Sequence, residues 1–207
     1  MNPLRLAVVS AGLSLPSSTR LLADRLADAT RQSLAEAGRE VDVRVVELRD
    51  LATGIAQNLV NGFPGPVLGE ALESVADADG VIAVTPVFSA SYSGLFKSFF
   101  DVLDEAALTG KPVLIAATGG SSRHSLVLEH ALRPLFAYLR AVVVPTAVYA
   151  ASEDWGAAGD GRTGALASRI RQAGDELAGL MVGRQAATTP AGTVVPFEQQ
   201  LAALRPA

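Results

Sequence analysis

The stretch LRLAVVSAGLSLPSSTR, from Leu4 to Arg20, decides the fold. Leu6 to Ser10 is an uncharged aliphatic run and reads as a buried strand. A loop rich in Ser, Gly and Pro follows. From Ser18 to Ala37 the spacing becomes helical: Leu22, Leu26, Thr30, Leu34 and Ala37 form one stripe, with Asp24, Arg25, Asp28, Arg31 and Glu36 mostly off it. Gly38 ends the helix. A strand running through a hydroxyl-rich turn into an amphipathic helix is the unit that, repeated, builds a parallel sheet.

The repeat of that alternation is visible along the chain. Val41–Glu47 is a second strand, with Val41, Val43 and Val45 alternating with Asp42 and Arg44. Residues 50–65 read as a turn-rich connection because of Asn58, Asn61, Gly62 and Pro64. Helices are expected over 66–78, 94–103, 122–139 and 164–181, and strands over 81–85, 112–118 and 142–149. Near-continuous apolar strands separated by helices imply a parallel sheet covered on both faces. The expected architecture is therefore an α/β three-layer sandwich with a five-stranded parallel sheet, order 2-1-3-4-5, the flavodoxin-like arrangement. A six-stranded dinucleotide fold would need a sixth strand that is hard to find. Residues 1–183 form one expected domain. Residues 184–207 read as an appended arm, either a loose tail or a segment packing on another subunit.

Composition narrows the function. The chain has 207 residues, 17 Lys and Arg against 21 Asp and Glu, and a formal net charge of −4. With 49% hydrophobic and 18% charged residues it is not a disordered sequence. The mild acidity disfavours a partner such as nucleic acid or anionic lipid held by overall charge. There is no Cys, which removes disulfides, thiolate metal sites and Cys nucleophiles. His124 and His130 are the only histidines, so no metal centre is expected. The uncharged run between Asp79 and Lys97 holds Pro86, Gly94 and several hydroxyls, and does not suit a bilayer span. The apolar run after Arg5 stops at Ser10, too soon for an export signal. A cytoplasmic protein is expected.

In an open α/β sheet, ligands bind outside the carboxyl ends of the strands, where the strand order reverses. Three loops lie there. The first runs from Ser10 to Arg20 into a helix N-terminus, where free amides and the helix dipole favour an anion. Ser10, Ser17, Ser18 and Thr19 add hydroxyls and Arg20 a charged fork. Without a Gly-Lys-Ser/Thr ending or a Gly-x-Gly-x-x-Gly pattern, the loop suits a terminal phosphate monoester better than a pyrophosphate. Simple N-capping by Ser17 or Ser18 would explain one hydroxyl only. The second loop, Thr85-Pro-Val-Phe-Ser-Ala-Ser-Tyr-Ser-Gly94, offers a rigid backbone at Pro86 and apolar surface from Val87 and Phe88. The third, Ala117-Thr-Gly-Gly-Ser121, has two glycines that let backbone approach a ligand closely. Downstream, Pro134 lies in a helical pattern and crowds the carbonyl of His130, which predicts a kink or a π-bulge there. His130 is then either a packed interface residue or part of a site.

The combination of Ser10, Pro16-Ser-Ser-Thr-Arg20, Thr85-Pro-Val-Phe-Ser-Ala-Ser-Tyr-Ser-Gly-Leu-Phe-Lys97, Ala117-Thr-Gly-Gly120 and Pro134 resembles the NAD(P)H-dependent FMN reductases. More narrowly it resembles the flavin reductases that serve two-component, luciferase-like or alkanesulfonate-type monooxygenases. The resemblance spans residues 4–181. It implies FMN as flavin, NAD(P)H as co-substrate, and homodimers that often pair into homotetramers. It places Ser10, Ser17, Ser18, Thr19 and Arg20 at the FMN phosphate. Pro86, Val87, Phe88 and Ser89 fall along the ribityl chain and ring, and Thr118, Gly119 and Gly120 at the ring's polar edge. Phe88 stands where relatives often have Tyr, Ser89 where some have Lys, and His130 where one branch has Tyr.

Hydride transfer from nicotinamide to flavin needs no protein nucleophile, and no catalytic side chain is assigned. Arg123 and His124 follow the glycine turn and are either coenzyme contacts or an exposed turn. A quinone or azo-dye reductase, a flavodoxin-like electron carrier and a non-enzymatic nucleotide-binding protein are the competing readings. The carrier is disfavoured by 5% aromatic residues and the small net charge. No Gly-x-Ser-x-Gly is present, so a hydrolase is not indicated.

Overall fold

The computed structural model describes residues 2–155 and 161–184. Its strands are β1 (Leu4–Ser10), β2 (Val41–Glu47), β3 (Gly80–Phe88), β4 (Ser91–Tyr92), β5 (Pro112–Gly119), β6 (Val142–Val143) and β7 (Val148–Ala151). Its α-helices are α1 (Ser18–Glu36), α2 (Leu48–Asn61), α3 (Pro66–Ala76), α4 (Gly94–Asp101), α5 (Arg133–Tyr138) and α6 (Gly161–Gly183). The main sheet is parallel throughout and runs β2-β1-β3-β5-β6, with β7 also on β5. Counted by position this is the flavodoxin-like order expected. The arm assigned to residues 184–207 lies, except for Arg184, outside the described residues.

Alternation along each strand sorts side chains to two cores. Leu6 and Val8 of β1, Ile82 and Val84 of β3, and Leu114 and Ala116 of β5 pack under Leu22 and Leu26 of α1 and Ile170 and Leu177 of α6. The intervening Ala7, Val9, Val81, Ala83, Val113 and Ile115 pack on the opposite side. That second core holds a ring cluster: Phe100 lies 4.8 Å from Phe96 and 5.0 Å from Phe136, centroid to centroid. Truncating such a ring to Ala costs about 3–5 kcal/mol.

Three readings change. Residues 50–65 are not a turn-rich link, because α2 occupies Leu48–Asn61. Leu48, Leu51, Ile55 and Asn58 form its buried stripe, and the turn signals mark only its end, where Gly62 caps it at φ 79°. The expected strand 142–149 is two short strands in the same position. Between them Arg133 donates to the carbonyls of Val144 and Pro145, both at 3.2 Å. Glu176 of α6 accepts from the amide and hydroxyl of Thr146, both at 2.7 Å. Finally, 122–139 is not one helix. A 3₁₀ turn covers Ser122–His124 and a π turn Leu128–Leu132, before α5. The π turn closes with the Arg133 amide donating to the carbonyl of Leu128, and it centres on His130, where Pro134 predicts the distortion.

At the other end of the sheet Lys111 is 2% exposed and donates to the carbonyls of Val75 at 2.7 Å and Ala76 at 2.6 Å, capping α3. Burial pushes its ammonium down to about 8. Below that pH the group is charged in both folded and unfolded chains. Between pH 8 and the unfolded value near ~10.4 the unfolded chain holds the extra proton, so stability rises with pH. The urea midpoint should increase from pH 8 to pH 10, and Lys111→Met should remove that increase. A flat profile in the unsubstituted chain would contradict the assignment. No helix among the described residues is long and apolar enough to cross a membrane.

Candidate flavin site

Parity along the strands decides what the first and third loops share. Ser10 continues the Leu6, Val8 face of β1, and Thr118 continues the Leu114, Ala116 face of β5, so both point to the side of α1. Thr19, in the first turn of α1, meets Thr118 there: the two hydroxyls are 2.8 Å apart and buried. The first loop is also tied to β3 by the Ala11 amide, which donates to the carbonyl of Val84 at 2.9 Å. Three strand ends are thus locked into one rim.

Within that rim Ser17 caps α1: its Oγ accepts from the Arg20 amide at 3.2 Å. The Leu21 amide returns to the carbonyl of Ser17 at 3.0 Å. The amides of Ser18 and Thr19, ahead of these, have no partner one helical turn back. Gly12 makes room for the cap, because a Cβ there would fall 2.1 Å from Ser17 Oγ. Ser18 is exposed and Ser17 half-buried. Ser10 is fully buried, and its Oγ has no hydrogen-bond partner among the described residues. A buried hydroxyl without a partner costs about 1–3 kcal/mol, so its presence under an open helix N-terminus fits an anionic ligand that completes it.

Arg20 does not present a free fork to this loop. Its Nε donates to Asp24 at 2.7 Å and its Nη1 to Glu47 at 2.6 Å. Glu47 first, then Asp24, hold the guanidinium more firmly charged than an ordinary Arg. Arg20 joins α1 to the end of β2, and its charge is met by these two carboxylates.

The second loop is a hairpin. β3 overshoots β1 and turns back through Ser89 and Ala90 into β4, pairing Val87 with Tyr92 and Phe88 with Ser91. Ser89 and Ala90 have φ 47° and 67°, left-handed conformations that side chains rarely take and that concentrate at functional sites. Thr85 Oγ1 accepts from the Ser93 amide at 3.0 Å and so closes the hairpin at its base. Pro86 lies beside Thr118 in register, which brings the second loop against the third. Phe88 is 47% exposed at the hairpin tip, a ring left uncovered beside this rim.

The third loop rests on a residue that sequence reading treats as the end of a strand. Tyr149 of β7 is 5% exposed and its hydroxyl donates to the carbonyl of Ser121 at 2.8 Å. The same oxygen lies 2.1 Å from where a Cβ on Gly119 would stand, so Gly119 is required by that close approach. A Cβ on Gly120 would meet nothing within 4 Å, so that residue faces open space. Burial first, and then Glu153 and Asp154, push the Tyr149 phenol up and keep it a neutral donor. A polar-tipped aromatic at a strand's carboxyl end was the available signal for it. Thr85 and Glu47 had no local signal.

A family model described as NADPH-dependent FMN reductase matches residues 4–156. The chain belongs to that family. An FMN reductase (NADPH) of Pseudomonas aeruginosa is 38% identical over 186 residues, 88% of this chain and 95% of that protein. The NADH-dependent FMN reductase SfnE of Pseudomonas putida is 36% identical, over 84% of this chain and 90% of its own. An oxidoreductase structure from Corynebacterium diphtheriae superposes with TM-score 0.85 at 46% identity, covering 89% of this chain and 100% of that one. The apo structure of an NADH:FMN oxidoreductase, EMOB, gives 0.72 at 26% identity over 89% and 92%. As a family member this FMN reductase is an oxidoreductase whose flavin is FMN and whose reductant is NAD(P)H.

Proposed function

We propose that the rim formed by the three loops holds FMN during its reduction and that the chain supplies reduced flavin to a flavin-dependent monooxygenase. The observation that carries the binding site is the unpartnered, buried Ser10 hydroxyl beneath the open N-terminus of α1. In this reading the amides of Ser18 and Thr19 and the hydroxyls of Ser10, Ser17 and Ser18 grip the phosphate, with Arg20 holding the turn in place through its pairs with Asp24 and Glu47. The hairpin residues Pro86, Val87, Phe88 and Ser89 flank the ribityl chain and one side of the ring. Thr118, Gly119 and Gly120 meet its polar edge, where their amides stabilise negative charge on the reduced ring. Bound FMN supplies the hydride acceptor, so the side chains bind, orient and shield, and none has to act as acid, base or nucleophile.

The same reading makes the enzyme a cytoplasmic homodimer or homotetramer, supported by its resemblance to the reductases of two-component monooxygenases. The deciding assay is steady-state oxidation of NADH and NADPH with FMN, FAD, riboflavin, a quinone or an azo dye as acceptor. FMN should be the best acceptor, with kcat/KM about tenfold or more above riboflavin. Faster turnover of the quinone or the dye would favour the acceptor-reductase alternative instead.

A further inference from the structure

Among the described residues, the cations around the rim other than Arg123 are paired with carboxylates. Arg20 is held by Asp24 and Glu47, Arg49 pairs with Asp50, Lys97 with Asp101, and Arg133 with Glu129. Arg123 has no carboxylate partner among the described residues. It sits on the 3₁₀ turn directly after Gly119 and Gly120, and residues 122–126 are all exposed. Its amide donates to Ser121 Oγ at 3.4 Å, and the base of the turn is pinned by Tyr149 on the Ser121 carbonyl. Ser122, His124 and Ser125 stand beside it. No Asp or Glu occurs between Glu105 and Glu129.

We infer that this turn binds the 2′-phosphate of NADPH and that Arg123 selects NADPH over NADH. The inference rests on the flavin reading above. A nicotinamide that reaches a ring held at Gly119 and Gly120 leaves the adenosine end of the coenzyme to run outward over exposed surface, and this turn is the cationic surface there. The pyrophosphate is common to both coenzymes. Only the 2′-phosphomonoester of NADPH is a terminal dianion, which an Arg fork with neighbouring hydroxyls fits. In Rossmann folds a carboxylate binds the ribose 2′-hydroxyl of NAD and an Arg accommodates the 2′-phosphate of NADP, a chemical contrast that does not depend on the fold. This turn has the Arg and lacks the carboxylate. The relatives divide on the same point, being named for NADPH in one case and NADH in another.

Two measurements test it. In steady state, Arg123→Ala should lower the ratio of kcat/KM for NADPH to that for NADH by about tenfold or more, through KM, and Arg123→Lys should restore part of it. Calorimetry on the FMN-loaded protein should show 2′,5′-ADP binding more tightly than 5′-AMP, with that difference lost in Arg123→Ala. An unchanged ratio, or equal losses with both coenzymes, overturns the assignment, as does 2′,5′-ADP binding that ignores the substitution. Arg123 is exposed, so folding is not at stake. The FMN dissociation constant, read from flavin fluorescence in the same samples, separates the two claims. Failure to bind FMN sinks the flavin site, whereas normal FMN binding with no coenzyme selectivity sinks this inference alone.

Discussion

Gly119→Ala should raise the FMN dissociation constant by about a hundredfold or more while the chain still folds. The added methyl would stand 2.1 Å from Tyr149 Oη and 3.1 Å from Cζ. Tyr149 cannot swing aside, because it is 5% exposed and packs in the core with Phe136 and Ile115. Something must give, and the half-exposed turn gives more easily than the core. The amides of Gly119 and Gly120 then leave the positions that meet the ring. Overpacking of this kind costs about 1–3 kcal/mol of stability, a fraction of a domain's total. The double variant Gly119→Ala, Tyr149→Phe removes the nearest atom and should recover part of the affinity. Fluorescence titration with FMN checks both, and unchanged binding in the single variant would refute the placement of the third loop at the flavin.

Ser10→Ala should move stability and binding in opposite directions. Without flavin, the substitution removes a buried hydroxyl that has no partner, so the urea midpoint should stay level or rise. With FMN it removes a charge-assisted hydrogen bond of about 1.5–3 kcal/mol, so the dissociation constant should rise by roughly ten- to a hundredfold. Riboflavin, which lacks the phosphate, should bind the two proteins alike. A loss that is equal for FMN and riboflavin would place Ser10 away from the phosphate. A drop in the unliganded midpoint would show that the hydroxyl already has a partner.

Much of this fold is legible along the chain. The β1–α1 unit was readable because burial on both faces of a parallel strand leaves an uncharged run, and burial on one face of a helix leaves a stripe. Pro134 announced the π turn at His130, since a missing amide and a crowded carbonyl are local properties of the backbone. α2 was hidden by its own cap: Asn61, Gly62 and Pro64 are turn residues, but they sit at its end, and the stripe from Leu48 to Asn58 carried the true period. The break in the fifth strand position was not readable from an apolar run, because Glu176 and Arg133 impose it from distant segments.

The sequence by itself determined the alternation of strands and helices, the strand order, and the three loops that line the rim. Those features follow from local periodicity, backbone restriction at Pro and Gly, and the rule that ligands meet strand ends where the order reverses. Only the tertiary structure decided which side chains in those loops are free to act. Arg20 is committed to Glu47, 27 positions away, and Thr19 to Thr118, 99 positions away. Ser10 is left without a partner, Gly119 is fixed by Tyr149, and Arg123 stands without a carboxylate among the described residues. Hydrogen bonds and ion pairs form between atoms a few ångströms apart in space, and chain distance places no constraint on which atoms those are.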